Sequence, residues 1–146
     1  MIFDKRLQFS DAQAITASAA STNAIDLSTI GRVVGGTADL ARDVGKGTPV
    51  PILVQVVTAF DSVADDETLA VAIQLDSTDT FTPDKTITLG TLTNAQLKTV
   101  GFQLPVQYLP DGIDYRYARL YYTVAGSGNF TAGKITAGIV AGRQTN

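Results

Sequence analysis

The sequence predicts an all-β domain, an antiparallel sandwich or barrel. Three observations carry this. Apolar residues recur with period two in several segments, and clusters of Gly, Pro, Asp, Ser and Asn separate those segments. Helix signals, by contrast, are few. The 146 residues correspond to one domain. A chain of this size buries roughly 68–70% of the surface its unfolded form exposes. The 45% hydrophobic content can supply the core.

Taken in order, the first segment is extended over 2–9, with Phe3, Leu7 and Phe9 on one face and Lys5 interrupting them. Large apolar residues at a terminus fray unless they dock. We therefore expect an N-terminal arm that reaches a neighbour, with residues 1–12 being either that arm or the first core strand. Residues 26–49 hold three Gly-containing clusters and are expected to form one long loop. A loop of that length in a small domain is usually functional or interaction-making. Within it, "TADLARDVG" (37–45) has room for one or two helical turns. "VPILVQVVTA" (50–59) is apolar on both faces and predicts a strand covered on both sides.

The turn "DSVADDE" (61–67) leads into the clearest alternation, Leu69, Val71, Ile73 and Leu75 against Ala70, Ala72 and Gln74. After "DSTDTFTPD" (76–84), Ile87 and Leu89 alternate with Thr86 and Thr88. "TNAQLK" (93–98) opens like a capping box, with Thr93 and Gln96 three apart. Val100, Phe102 and Leu104 predict a strand over 98–104. Beyond "LPDGID" (109–114), "YRYARLYYTV" (115–124) and the run Ile135, Ala137, Ile139, Ala141 predict the last two strands, joined through "GSGNF" (126–130).

Composition narrows the chemistry. Cysteine and histidine are absent. No disulfide, thiolate nucleophile or imidazole base is available. "MIFDKRLQF" lacks a long apolar run, so we expect no signal peptide and synthesis in the cytosol. No stretch approaches 18 consecutive apolar residues, and no membrane partner is expected. Around Gly45-Lys46 a phosphate loop would need Gly at 40 and Ser or Thr at 47, but the chain has Leu40 and Gly47. "GSGNFTAG" lacks the dinucleotide-binding spacing and is better explained as a hairpin turn. "DSTDTFTPD" lacks the ligand order of a calcium loop and its closing Glu. Asn129-Phe130-Thr131 is a glycosylation sequon that is irrelevant without secretion. No two carboxylates are paired by the sequence as hydrolysis would require. No enzyme activity, cofactor or metal is expected.

Charge is unevenly spread. The net charge is −3. No cation lies between Lys46 and Lys85, an interval that holds seven acids, and no acid follows Asp114. The acidic block 61–84 and the basic segment 116–143 are expected to meet opposite charge in an assembly, unless the fold mixes them into an ordinary soluble surface.

In "YRYARLYYTV" a strand would send Arg116, Ala118, Leu120, Tyr122 and Val124 to one face. Tyr115, Tyr117, Arg119, Tyr121 and Thr123 would share the other. Such a row suits a protein interface, where Tyr and Arg are enriched. It also suits an ordinary sheet face, or base stacking. The net acidity argues against nucleic acid. The candidate interface residues are thus Phe3, Leu7, Phe9, Tyr115, Tyr117, Arg119 and Tyr121. With "VPILVQVVTA", the row also predicts self-association, a homodimer first and a trimer second.

Four blocks, "LQFSDAQAIT" (7–16), "STNAIDL" (21–27), "GKGTPVPILVQVVTAFDS" (45–62) and "RYARLYYTVAGSGNFTAGKITAGIV" (116–140), resemble the capsid cement, or decoration, proteins of short-tailed phages with jelly-roll cement subunits. Segment 28–44 lies outside the resemblance. The resemblance implies a jelly-roll sandwich and a structural protein on the outer surface of an icosahedral head. Its partner would be the major capsid protein, whose lattice it would rivet without catalysing anything.

Overall fold

A computed structural model describes residues 4–28, 31–40, 47–105 and 107–142. Among the described residues, a 3₁₀ turn at Lys5–Leu7 leads into nine strands and one short helix. The strands are β1 (Gln8–Ala14), β2 (Ala19–Ala20), β3 (Ile25–Asp26), β4 (Pro51–Ser62), β5 (Thr68–Asp76), β6 (Lys85–Leu92), β7 (Gln107–Tyr108), β8 (Tyr117–Ala125) and β9 (Phe130–Ile139). Helix α1 is Asn94–Leu97.

Two antiparallel sheets result. One has the order β1-β9-β4-β7; the other has β2-β8-β5-β6, with β3 also paired to β8. The order follows from one operation. β5 pairs with β6, β4 with β7, β2 and β3 with β8, and β1 with β9, so the chain is a nested hairpin closed by the β5–β6 turn. Rolling that hairpin brings β9 beside β4 and β8 beside β5. This is the jelly roll, with β2 and β3 sharing the place of one strand.

The alternation that predicted the strands is the alternation that fills the core. Leu69, Val71, Ile73 and Leu75 from β5 are buried, as are Ala118, Leu120 and Tyr122 from β8. Ile135, Ala137 and Ile139 from β9 and Ile52, Val54 and Val56 from β4 face them. On the other face of β4 only Leu53 is fully buried; Gln55, Val57 and Ala59 are half-buried. The expected second covering of this strand is therefore partial. Gly133 has to be glycine. Its φ is +132°, and a Cβ there would sit 2.3 Å from the Phe60 ring, which itself meets Phe130 edge-on at 4.8 Å.

A polar thread stitches the sheets together. Ser10 of β1 donates to Gln13 Oε1 at 2.7 Å. Its hydroxyl proton is thereby used, so the Tyr122 hydroxyl of β8 donates to Ser10 Oγ, also at 2.7 Å. Gln13 continues to the Ala20 carbonyl and accepts from the Thr22 N–H. An irregularity in β1, with Ala12 at φ +45°, aims these side chains inward.

Two expectations are corrected. Residues 98–104 are not a strand. The capping box forms, with Thr93 N–H bonded to Gln96 Oε1 at 2.9 Å, and starts α1. Gly101, at φ +87°, then turns the chain, and residues 101–104 bond to β4 at Val54 and Val56 but form only an isolated bridge, at Gln103. Leu104 donates its backbone N–H to the Val54 carbonyl at 3.0 Å and buries its side chain over Gly90. The second is the placing of Phe9 on an N-terminal arm, where the alternative of a first core strand holds for residues 8–14. Residues 8–14 are the first strand, paired to β9, and Phe9 is fully buried.

The long connection between β3 and β4 is present. Within it, residues 31–40 close on themselves through an Arg32–Asp39 bridge and ion pair at 2.7 Å. Residues 37–40 are not helical. The rest of "TADLARDVG" lies outside the described residues.

Candidate functional site

The outer face of the β2-β8-β5-β6 sheet holds the row that the sequence singled out. Since β8 starts at Tyr117, the alternation sends Ala118, Leu120 and Tyr122 inward and leaves Tyr117, Arg119 and Tyr121 half-buried on the outer face. Register places Tyr117 between Asp26 and Asp76, Arg119 beside Gln74, and Tyr121 between Ala20 and Ala72.

The row is roofed by the chain's own side chains. Phe81, from the β5–β6 loop, lies over the Arg119 guanidinium at 4.3 Å and meets Tyr117 edge-on at 6.5 Å. Arg119 Nε donates to Gln74 Oε1 at 2.8 Å. Next to them, Arg116 makes a two-pronged bond to Asp26, at 3.0 and 2.8 Å, and lies 4.9 Å from the Tyr117 ring centre. The Asp26 hydrogen bonds hold the Arg116 proton more tightly than usual. Phe81 adopts φ +48°, a strained conformation for an aromatic residue. Its ring is nearly buried. Sequence reasoning missed it. The only signal was a single aromatic in an otherwise polar loop.

The proposed interface residues therefore separate. Tyr117, Arg119 and Tyr121 come together on one face. Tyr115 does not join them, because it precedes the strand and packs against the core. Phe9 is internal and touches no outside surface. Leu7 ends the 3₁₀ turn at the surface, 36% exposed. Phe3 lies outside the described residues.

No ion pair joins a cation of the basic segment to an acid of the block 61–84 among the described residues. Arg116 uses Asp26, and Arg119 uses Gln74 and Phe81. Asp65, in the block, pairs with Lys98 at 2.6 Å. Asp66 accepts from both the backbone and the hydroxyl of Ser127. Among the described residues no three acidic side chains converge as a metal site would need.

A jelly roll whose distinctive chemistry lies on a sheet face suits a structural protein. A family model named Bbp16 matches residues 9–139, from the first core residue of β1 to the end of β9. The chain belongs to the Bbp16 family, which marks it as a phage-related protein. No curated protein matches it.

Proposed function

We propose that the chain is a capsid cement protein, a structural virion component that binds the outer surface of the phage head and stabilises the lattice of the major capsid protein. The observation that carries this reading is the family match, which spans the whole jelly roll. The resemblance of residues 7–16, 45–62 and 116–140 to cement proteins supports it. On this reading the protein is made in the host cytoplasm, works on the virion surface, self-associates as a homodimer before a trimer, and neither catalyses a reaction nor binds nucleic acid. Repetition over a shell turns individually modest contacts into firm attachment.

The test is electron microscopy of purified protein mixed with expanded, undecorated heads. Ordered density on the outer lattice, and heads that withstand heating better, are expected. Unchanged heads, or density confined to a portal or tail, would overturn the cement reading.

A further inference from the structure

An open cleft of about 710 Å³ lies on the molecule's flank, between the 3₁₀ turn and the connection that joins β2 to β3. Lys5, Arg6 and Gln8 form one side, and Thr22, Asn23 and Ser28 contribute to the other. Its size falls within the usual range of ligand sites.

The walls are held in place. Asn23 donates its side-chain amide to the Gln8 carbonyl at 3.1 Å and its backbone N–H to the Phe9 carbonyl at 3.0 Å. Thr22 Oγ1 donates to the Phe9 carbonyl at 3.3 Å. The wall at Thr22 and Asn23 is thus stapled to β1 before any partner arrives, which lowers the ordering cost of binding.

Among the described residues the charges are not balanced within the cleft. Its one acid, Asp26, is occupied by the two-pronged bond from Arg116. Asp4 lies outside the lining and turns its carboxylate to cap the Arg6 backbone N–H at 2.9 Å. Lys5 and Arg6 have no ion-pair partner among the described residues. Gln8 is 7% exposed, and its side-chain amide makes no hydrogen bond to a described residue. The amide is not among the buried unpartnered side-chain atoms, so it keeps contact with solvent and can exchange water for a ligand's carbonyl or N–H.

We propose that this cleft docks an acidic loop of the capsid lattice protein, Lys5 and Arg6 meeting its carboxylates and the Gln8 amide bonding its backbone. This rests on the cement reading and assigns the attachment chemistry to a place in the fold. Paired cations beside a side-chain amide match a peptide that offers both carboxylates and carbonyls. Among the described residues, no aromatic ring lines the cleft on which a base could stack. The polar lining offers little to a lipid tail.

The test uses the intact protein and a Lys5→Glu/Arg6→Glu double variant. Both residues are exposed, so the variant is expected to melt with the parent. A hexaglutamate peptide, followed by amide NMR, should shift the Gln8 and Asn23 side-chain resonances of the parent. The double variant should bind it roughly tenfold more weakly, equivalent to about 1.4 kcal/mol. Retention on expanded heads should fall in parallel. Equal binding of hexaglutamate by parent and variant would overturn the proposal, as would tighter binding of a hexathymidylate strand at the same two amides. Heads that retain both proteins equally would overturn it while leaving the cement reading standing. Heads that retain neither would sink the cement reading, and with it the capsid partner; the peptide titration would then judge the cleft's chemistry separately.

Discussion

At the scale of single residues, the most informative group is the Tyr122 hydroxyl. Burial pushes its proton affinity up. A tyrosine held protonated in the fold adds stability that is complete below the unfolded value near pH 10. That stability is lost as pH rises through the higher folded value, because the unfolded chain ionises first. Tyr122→Phe should therefore cost about 1–2 kcal/mol at neutral pH, the cost of breaking a buried hydrogen bond. It should also flatten the decline in stability above pH 10, as urea titrations at pH 7 and 10.5 would reveal. Asp66 behaves in the opposite sense. The Ser127 hydroxyl, then its backbone N–H, hold the carboxyl below the usual range. Its contribution is present above the ordinary carboxylate value near 3.8 and is lost as pH falls through the lower folded one. Asp66→Asn should lessen the acid sensitivity of the turn that joins β8 to β9, read as amide exchange at residues 126–129 between pH 5 and pH 2.5.

At the scale of elements, the β5–β6 loop and β8 form one unit. Arg119→Glu would place a carboxylate against the face of Phe81 and lose the Gln74 bond. Cation–ring contacts contribute about 0.5–2 kcal/mol. The variant should lose about that much stability on denaturation and release the loop at 77–84. Reversing Lys98 breaks only the exposed pair with Asp65, at a cost of about 0–1 kcal/mol. Retention on heads should follow the same order. The elements also show what was legible in the sequence. The strands around 69–75 and 117–125 could be read because each buries one face, so every second residue had to be apolar. The same pattern misled at 98–104. Alternation records which side chains are buried, not how far a strand runs: residues 98–101 turn, and only 101–104 bond to β4, too briefly for a strand. Phe9 was misplaced for the opposite reason. Its position near the terminus suggested an arm, while its true partner, β9, lies at the far end of the chain. The tyrosine row could be read as a face, but its Phe81 roof depends on a strained backbone that no spacing announces. The cation-lined cleft was invisible, since its walls are far apart in sequence and meet only because β1 is stapled to residues 22–23.

At the scale of the whole molecule, the nested hairpin ties the two ends of the jelly roll together. Removing residues 1–7 should leave the fold intact, because β1 begins at Gln8. Removing 1–9 deletes Phe9 and should cost about 3–5 kcal/mol, the range for losing a buried aromatic side chain. Thermal melts of the two truncations would separate a docking segment from a structural one. Almost every pairing joins distant parts of the chain, so folding should be slow for the size of the domain, in the millisecond to second range. The neighbouring ends have a mechanical consequence as well. Gln8 sits opposite Gly138 in antiparallel register. A pull applied at the two ends would load the β1–β9 bonds one after another, as a zipper opens. A pull between the two broad sheet faces loads many bonds at once. A protein of this shape bears tension poorly when hung by its ends and well when gripped by its flanks, so under internal pressure a shell fastened through the flanks would keep its fasteners folded.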